Sequence, residues 1–282
     1  MKIIDLRCRP AYLHPFFGGV PGSPEHDTAR WLNRRVGTRS ADNHFERSLT
    51  QEGFLGEIRE SGLDKAVVVG RHTPGQHLSN DLIHSVVHGH EELLGIGAVE
   101  PVLQGIEAAL AQIDRAIDVL GLAGIDLEPG FAEPARHPDD HLYWPIYEHL
   151  EKRGVPLFIM SGPTTPDPAY NDPGRLAAVA RAFPQLKIVV SHGYWPILQQ
   201  AIGVGFRYHN IHLVPDMYLF QAGSEGYVQA ANGFLADQLL FGSSYTFRPI
   251  GQSIEDAQRL GFRDEVLEKF FYRNAVRVLN LG

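Results

Sequence analysis

The sequence predicts an α/β fold, a (β/α)8 barrel, and three observations support this. Eight short apolar segments alternate with segments of helical pattern along the 282 residues. The apolar segments do not alternate with polar residues, which is typical of parallel strands buried on both faces. No glycine-rich dinucleotide fingerprint follows the first strand. The competing fold is a doubly wound open sheet, which does not need eight units of such even size.

The elements are predicted in chain order. The first strand begins at Ile3 and leads into Arg7 and Arg9, and an insertion at 11–47 follows it. From residue 50 the chain becomes regular, with Thr50 as N-cap and Gly62 as C-cap of the first helix. The remaining predicted strands are 66–70, 93–99, 123–127, 156–160, 187–191, 211–214 and 238–241. The predicted helices are 50–62, 79–90, 105–120, 140–153, 175–183, 197–206, 227–235, 253–259 and 264–279.

The stretch 11–47 is too long and too rich in turn residues for a simple connection. It contains Gly18-Gly19, Pro21-Gly22 and Pro24. We interpret it as a functional insertion, a lid or a dimer arm, within a single domain that spans 1–282. A plain surface excursion is the alternative.

Composition excludes several classes of function. The chain is 44% hydrophobic and 21% charged, which suits one large globular domain. A formal net charge of −8 argues against nucleic-acid binding as the main task. No apolar run reaches the length of a membrane span, and the N-terminus does not have the pattern of a signal peptide. The single cysteine, Cys8, fits a reducing compartment. We therefore expect a cytoplasmic protein without nucleic-acid or membrane partners.

Polar residues follow most of the predicted strands. The active site of such a barrel forms at the carboxyl ends of its strands, so these residues predict a polar pocket. The residues at these strand ends, all polar except Met160, are Arg7, Arg9, Arg71, His72, Glu100, Asp126, Glu128, Met160, His192, Asp216, Ser244 and Tyr245, with Arg248 just beyond. Each residue taken singly could instead cap a helix, form an ion pair or lie in the core.

Arg7 and Arg9 are the most informative of these residues. Residues two apart in a strand point to the same face, so both guanidiniums are expected in the pocket mouth. Two guanidiniums side by side repel each other unless an anion lies between them. The pair therefore predicts an anion site, with separate salt bridges as the alternative.

Five stretches resemble the amidohydrolase superfamily, in the branch similar to aminocarboxymuconate semialdehyde decarboxylase. In chain order they are Ile4-Asp5, Tyr143-Trp144-Pro145-Ile146-Tyr147 followed by Gly154-Val155-Pro156-Leu157-Phe158-Ile159, Ser191-His192-Gly193, Leu240-Phe241-Gly242-Ser243-Ser244-Tyr245, and Asn274-Ala275-Val276-Arg277-Val278-Leu279. The resemblance covers nearly the whole chain. It implies a barrel enzyme that hydrolyses, hydrates or decarboxylates small carboxylated compounds.

The resemblance also implies metal ligands that this sequence replaces. The family pattern has His-x-His closing the first strand, where this chain has Arg7 and Arg9. It has a His closing the fifth strand and an Asp closing the eighth, where this chain has Met160 and Ser244. Only His192 of the sixth strand is kept. Arginine has no lone pair for a metal, so we expect no catalytic metal and no other cofactor.

We therefore predict a metal-independent enzyme acting on a small anionic carboxylated compound. It would hydrolyse a lactone, ester or amide, or decarboxylate the compound. Arg7 and Arg9 would bind the anion, helped by Arg71, His72, Ser244, Tyr245 and Arg248. His192 would be the acid or base, with Glu128 and Asp216 as further catalytic groups.

The alternative function is a catalytically silent barrel that binds a small anion as a sensor or partner subunit. We also expect a homodimer, with Trp31 and Phe16-Phe17 of the insertion as exposed interface anchors.

Overall fold

A computed structural model describes residues 1–39 and 43–282 of the chain. Seven parallel strands form one curved sheet in the order β1-β2-β5-β6-β7-β8-β9. A separate antiparallel hairpin, β3–β4, follows β2. The strands are β1 Ile4–Cys8, β2 Lys65–Val69, β3 Arg71–Thr73, β4 Gln76–Leu78, β5 Leu93–Ala98, β6 Ile125–Leu127, β7 Leu157–Met160, β8 Ile188–Ser191 and β9 Ile211–Val214. The predicted α/β barrel is confirmed.

The eighth predicted strand, 238–241, is present only as one isolated bridge, between Leu239 and Leu213 of β9, and a second bridge joins Tyr245 to Cys8 of β1. It belongs to a stretch, residues 238–245, that we call the closing segment. Leu240 N donates to Leu213 O of β9 at 2.9 Å, and Leu6 N of β1 donates to Phe241 O at 3.0 Å. The segment therefore joins β9 to β1 through single contacts and not through a regular ladder, and Ser244 near its end has a left-handed φ of 59°.

Helices surround the barrel in sequence order. They are α1 Pro24–Arg35, α2 Asn43–Arg47, α3 Gln51–Ser61, α4 Asn80–Val87, α5 Pro101–Gln104, α6 Ile106–Asp114, α7 Trp144–Arg153, α8 Pro173–Ala182, α9 Leu198–Arg207, α10 Glu225–Ala231, α11 Ile250–Gln258, α12 Asp264–Glu268 and α13 Asn274–Val278. The predicted caps of α3 are confirmed, since Thr50 accepts from Gly53 N and Gly62 has φ 70°. None of the described helices is both long and apolar enough to cross a membrane.

The insertion is more regular than the sequence suggests. It contains the twelve-residue helix α1, capped by Ser23, whose side chain accepts from His26 N. Two short 3₁₀ turns, Ala11–Leu13 and Pro15–Phe17, precede the helix. Residues 40–42 of the predicted insertion lie outside the described residues. The sequence did not predict α1 for two reasons. Turn residues flank it at both ends, and its low mean hydropathy gives no clear apolar face.

The core has two layers. Inward-facing side chains such as Ile4, Val67 and Val189 fill the barrel interior, and Val278 of α13 packs on the same cluster. A larger apolar layer lies between the strands and the surrounding helices. This filled interior leaves the carboxyl ends of the strands as the place for a cavity.

Candidate active site

A cavity of about 360 Å³ opens at the carboxyl ends of the strands. This is at the small end of the range for ligand pockets. Its lining combines cationic and polar side chains with an apolar wall. The lining residues are Arg7, Arg9, Phe16, Phe17, Leu32, Arg71, Thr73, Pro74, Gly75, Gln76, Phe131, Met160, Thr164, His192, Met217, Ser244, Tyr245 and Phe247. The site therefore suits a small molecule with both an anionic group and an apolar part.

A register irregularity in β1 turns both arginines into the cavity. Ile4 and Leu6 face the barrel interior, so strict alternation would send Arg7 and Arg9 outward. The pairing of β1 with β2 shifts between Asp5 and Cys8, and Cys8 packs in the outer layer instead. Such irregularities commonly re-aim side chains beside active sites.

The two guanidiniums then diverge, which corrects the expectation that they converge on one point. Arg7 reaches towards β7, β8 and β9, whereas Arg9 reaches towards β2 and β6. The two side chains diverge because their partners lie on different strands. Strong acceptors for Arg9 lie on one side of β1, and the partners of Arg7 lie on the other.

The first group of side chains, the His192 cluster, consists of Arg7, Ser191, His192 and Asp216. The Asp216 carboxylate lies 2.8 Å from His192 Nδ1 and also accepts the His192 backbone N–H at 3.1 Å. Arg7 Nη1 donates to Ser191 Oγ at 2.9 Å, and Arg7 Nε lies 3.9 Å from Asp216 Oδ2. Arg7 Nη2 donates to Met160 Sδ at 3.0 Å, which is a weak acceptor. Arg7 is thus close to the histidine but lacks a strong partner.

The Asp216 contact fixes the tautomer of His192. A carboxylate only accepts, so Nδ1 carries the proton and Nε2 keeps its lone pair. Burial lowers the pKa of His192, against the opposing effect of Asp216, and the nearby Arg7 charge acts in the same direction as burial. The neutral imidazole with a free Nε2 lone pair is the form that accepts a proton.

Backbone strain is concentrated at this site. His192, Asp216 and Ser244 have left-handed φ values of 64°, 43° and 59°, which non-glycine residues seldom adopt. Gly162 (φ 100°) lies against His192, and a Cβ on Gly162 would come within 2.9 Å of His192 Cβ. Strained residues that cluster in a cavity are typical of functional sites.

The second group, the Glu128 cluster, consists of Arg9, Arg71, Asp126 and Glu128. Glu128 bridges the two arginines, with Oε1 at 3.1 Å from Arg9 Nη2 and Oε2 at 2.8 Å from Arg71 Nη2. Arg9 also donates to Val69 O at 3.0 Å and Gly70 O at 2.7 Å. Arg71 lies between two aromatic rings, 4.8 Å from the centre of Phe131 and 5.9 Å from that of Phe16.

The two carboxyl groups of this cluster have opposite pKa shifts. Burial and the adjacent Glu128 charge raise the pKa of Asp126 well above its usual value. Burial also opposes ionisation of Glu128, but the charges of Arg71, Arg9 and Arg7 outweigh it and lower the pKa of Glu128. Asp126 therefore favours its neutral form more than a carboxyl group in water does, and the charge of Glu128 is the main one that opposes the two guanidiniums. The Glu128 cluster therefore carries an excess positive charge, which attracts an anion.

Two polar atoms at the cavity support ligand binding. Ser244 Oγ and Arg71 Nε are buried, and neither has a hydrogen-bond partner among residues 1–39 and 43–282. Buried polar groups in folded proteins are nearly always paired, so each is a candidate contact for a bound ligand.

The structure places the remaining predicted site residues as follows. Tyr245 lines the cavity, but its hydroxyl donates to His44 O at 3.1 Å, away from the cavity. Glu128 and Asp216 do not line the cavity, but Glu128 contacts Arg9 and Arg71, and Asp216 contacts His192. Glu100 caps α5 by accepting from Leu103 N, as the structural alternative for that residue predicts.

Two predicted substrate-binding residues lie elsewhere. His72 stacks on His77 across the β3–β4 hairpin, with ring centres 4.0 Å apart, and is not part of the lining. Arg248 donates to Val36 O at 2.7 Å, pairs with Asp256 and covers the ring of Phe220. Its position near a strand end is misleading because the chain turns away from the cavity after Phe247. Arg248 instead holds the end of α1 against the barrel.

The sequence did not predict the apolar wall of the cavity, formed by Phe16, Phe17 and Phe131. Phe16 and Phe17 were expected as exposed dimer anchors, but Phe17 is only 1% exposed and both line the cavity. The insertion folds back over the barrel mouth, where Asn33 donates to Phe247 O at 2.8 Å. Trp31 is exposed, as expected. The adjacent phenylalanines were visible in the sequence, but which face they cover depends on the tertiary fold.

The side chains at the cavity floor do not suit a divalent metal ion. His192 is the one imidazole among the described lining residues, and its Nδ1 is bound to Asp216. Two of its neighbours are guanidiniums, which repel a cation and have no lone pair. Among residues 1–39 and 43–282, no three His, Cys, Asp or Glu side chains are grouped to hold a metal ion.

Comparisons with known proteins agree with this architecture. A family model described as amidohydrolase matches residues 50–281. An uncharacterized TIM-barrel protein from Bordetella bronchiseptica is 32% identical, with a TM-score of 0.89 and 99% of each chain covered. No curated protein matches the sequence.

Two more distant structures share the fold. A 5-carboxyvanillate decarboxylase from Sphingomonas paucimobilis is 16% identical, with a TM-score of 0.70, covering 100% of this chain and 99% of the other. A 4-oxalomesaconate hydratase from Rhodopseudomonas palustris is 18% identical, with a TM-score of 0.65, covering 99% and 95%.

Proposed function

The chain belongs to the amidohydrolase family, an enzyme family, and from that premise we propose a metal-independent hydrolase of small carboxylated esters or lactones. One observation carries this proposal. His192 faces the cavity with its Nδ1 bound to Asp216 at 2.8 Å and its Nε2 lone pair available, close to the guanidinium of Arg7. This arrangement supplies a base and a cation beside it without a metal.

The two clusters would divide the work. The permanent carboxylate of the substrate binds in the Glu128 cluster, where Arg71 and Arg9 carry the excess positive charge. The reacting carbonyl then lies at the His192 cluster. The apolar wall formed by Phe16, Phe17 and Phe131 covers the body of the substrate and excludes water from the rest of the cavity.

The chemical step follows from the neutral state of His192. Nε2 takes a proton from water as the water oxygen bonds to the carbonyl carbon. The electron pair of the C=O double bond moves to its oxygen, and the Arg7 guanidinium stabilises that oxyanion. When the oxyanion collapses, the bond to the leaving alkoxide breaks and the imidazolium returns its proton to that oxygen. The products are a carboxylic acid and an alcohol.

Hydrolysis fits this site better than decarboxylation. Decarboxylation needs a proton donor for the carbon that loses CO2, together with an electron sink. Burial lowers the pKa of His192, so the imidazole is unprotonated near neutral pH and cannot donate.

The experiment is a turnover assay on a panel of carboxylated lactones and esters, in buffer with a metal chelator. Acid release is followed for the wild type, His192→Gln and His72→Gln. His72 is a matched control, since it is a histidine near the barrel mouth but outside the cavity. We expect turnover by the wild type and His72→Gln and its loss in His192→Gln. Anion binding without any turnover across the panel would contradict the proposal and support the catalytically silent alternative.

A further inference from the structure

A pair of histidines lies on the outside of the barrel, at the carboxyl end of α4. His84 and His88 are four residues apart, so they are neighbours on the helix surface. His88 N donates to His84 O at 2.8 Å, which shows that the helical turn extends to His88. The two ring centres are 4.9 Å apart, and the ring planes are inclined by 36°.

One of the two rings is already oriented. His84 Nδ1 lies 2.8 Å from the carbonyl oxygen of Leu120. A carbonyl oxygen only accepts, so Nδ1 carries the proton and the Nε2 lone pair is left for a ligand. An N–H donated to a backbone carbonyl is the usual support behind a metal-binding imidazole.

The spacing of the rings matches a shared metal ion. Two imidazoles on one tetrahedral Zn²⁺, with Zn–N bonds of about 2.0–2.1 Å, bring their ring centres to roughly 5 Å of each other. The stacked pair His72 and His77 has a different geometry, which does not suit a shared metal ion. Its rings are only 4.0 Å apart and nearly parallel, at 9°. Lone pairs in parallel planes do not converge on one ion.

We propose that His84 and His88 form a surface site for a divalent transition-metal ion of the Zn²⁺, Ni²⁺ and Cu²⁺ group, bound through two imidazole nitrogens with water at the other positions. Imidazole ligands suit these metals, and Cu²⁺ should bind most tightly. Asp81 does not complete the set, because Arg115 holds both of its oxygens at 2.7 and 2.9 Å. The single thiol of the chain, Cys8, is buried and does not compete.

Such a site would act on the stability of α4. The Leu120 carbonyl that orients His84 follows the π-helical turn Arg115–Val119, so a bound ion would hold the last turn of α4 against that segment. An ion that binds the folded chain more tightly than the unfolded chain raises stability. The site is separate from the cavity, so the proposed hydrolysis does not depend on it.

The test is calorimetric titration of the chelator-treated full chain with NiCl₂ in a non-coordinating buffer. Four proteins are compared: the wild type, His84→Gln, His88→Gln and the matched control His90→Gln. Circular dichroism of each metal-free protein shows that it is folded. We expect one equivalent of Ni²⁺ in the wild type and His90→Gln. Either of the other changes should weaken binding by roughly tenfold or more, since even an outer-shell change costs about 10–100-fold.

Two results would overturn the site. One is a wild type that does not bind Ni²⁺, and the other is unchanged affinity in both His84→Gln and His88→Gln. A further titration of His192→Gln separates this proposal from the proposed function. If binding disappears with His192 and not with His84, the metal lies in the cavity, and both the α4 site and the metal-independent mechanism are wrong. If the wild type and His192→Gln bind Ni²⁺ equally well and His84→Gln and His88→Gln bind it more weakly, the α4 proposal stands whatever the turnover assay shows.

Discussion

The His192 cluster and the Glu128 cluster share one cavity but differ in how their charges are balanced. In the Glu128 cluster, Arg9 has carbonyl and carboxylate acceptors at 2.7–3.1 Å, and Glu128 also holds Arg71. In the His192 cluster, Arg7 has a hydroxyl, a thioether and a carboxylate 3.9 Å away. The arginines of the Glu128 cluster have strong acceptors and carry an excess positive charge. In the His192 cluster, Arg7 has weaker acceptors and lies beside His192, which can accept a proton.

This difference separates binding from chemistry. The fixed positive charge of the Glu128 cluster attracts a permanent anion. Its interaction with the substrate strengthens little as charge develops during the reaction. Arg7 lacks a strong acceptor, so it has more to gain from a developing oxyanion, and differential stabilisation of that kind raises the rate. Substitutions in the two clusters should therefore have different consequences.

Loss of the base should have the largest effect. In His192→Gln we expect kcat to fall by about 10²–10⁴-fold, the usual contribution of a general base. Affinity for the carboxylate product should stay nearly the same, because the Glu128 cluster is unchanged. Steady-state kinetics and a product titration measure the two quantities. An unchanged kcat would show that another group moves the proton.

Arg9→Met should mainly reduce stability. It removes the guanidinium that donates to Val69 O and Gly70 O, and with it one of the two cations beside Glu128. Breaking a buried charged pair typically costs about 3–5 kcal/mol, and urea unfolding measures this loss. Arg259→Met, on an exposed arginine, is the control and should change stability by about 0.5 kcal/mol or less. Equal stability of the two variants would mean that Arg9 is not a structural member of its cluster.

Arg7→Met should affect the reaction more than the fold. A charge-assisted contact is worth about 1.5–3 kcal/mol, so kcat/KM should fall by about tenfold to a hundredfold. The unfolding free energy should change less than in Arg9→Met, since the partners of Arg7 are weak acceptors. A variant that unfolds easily but keeps its kcat/KM would reverse the roles given to the two arginines.

The pH dependence of kcat/KM should show a smaller effect than the substitutions of His192, Arg9 and Arg7. Burial lowers the pKa of His192 from 6.5, so the acid limb of kcat/KM should lie below pH 6.5. As the pH falls through that limb, the imidazole gains a proton and can no longer act as a base. Asp216 raises the pKa of His192, so Asp216→Asn should move the limb further to the acid side. A limb at or above pH 6.5 would contradict a neutral, buried base.

The fold was predictable because its causes are local. Runs such as Ala66-Val67-Val68-Val69 are apolar and β-branched, and caps such as Thr50 and Gly62 mark helix ends within a few residues. Residues 238–241 of the closing segment were predicted as a full strand, but the structure has one isolated bridge and single backbone hydrogen bonds to β9 and β1 there. Helix α1 was hidden among turn residues.

The site was predictable in place but not in detail. Strand-end positions correctly brought Arg7, His192 and Ser244 to one cavity. The divergence of Arg7 and Arg9 depends on which strands supply their acceptors, and the position of Arg248 depends on where the chain turns after Phe247. Both are tertiary features. The predicted homodimer and cytoplasmic location stay predictions.

In the proposed function, the Glu128 cluster binds the carboxylate of the substrate, and the His192 cluster hydrolyses the ester or lactone without a metal. The most direct test measures kcat/KM, in chelator, for a carboxylated ester from the panel and for the same ester with its carboxylate replaced by an uncharged carboxamide. Wild type and Arg71→Met are compared in this cycle. We predict that the wild type prefers the carboxylate by about tenfold or more, and that Arg71→Met loses this preference while keeping its rate on the carboxamide. An equal preference in both proteins, or activity that appears only when a divalent metal is added, would contradict the claim.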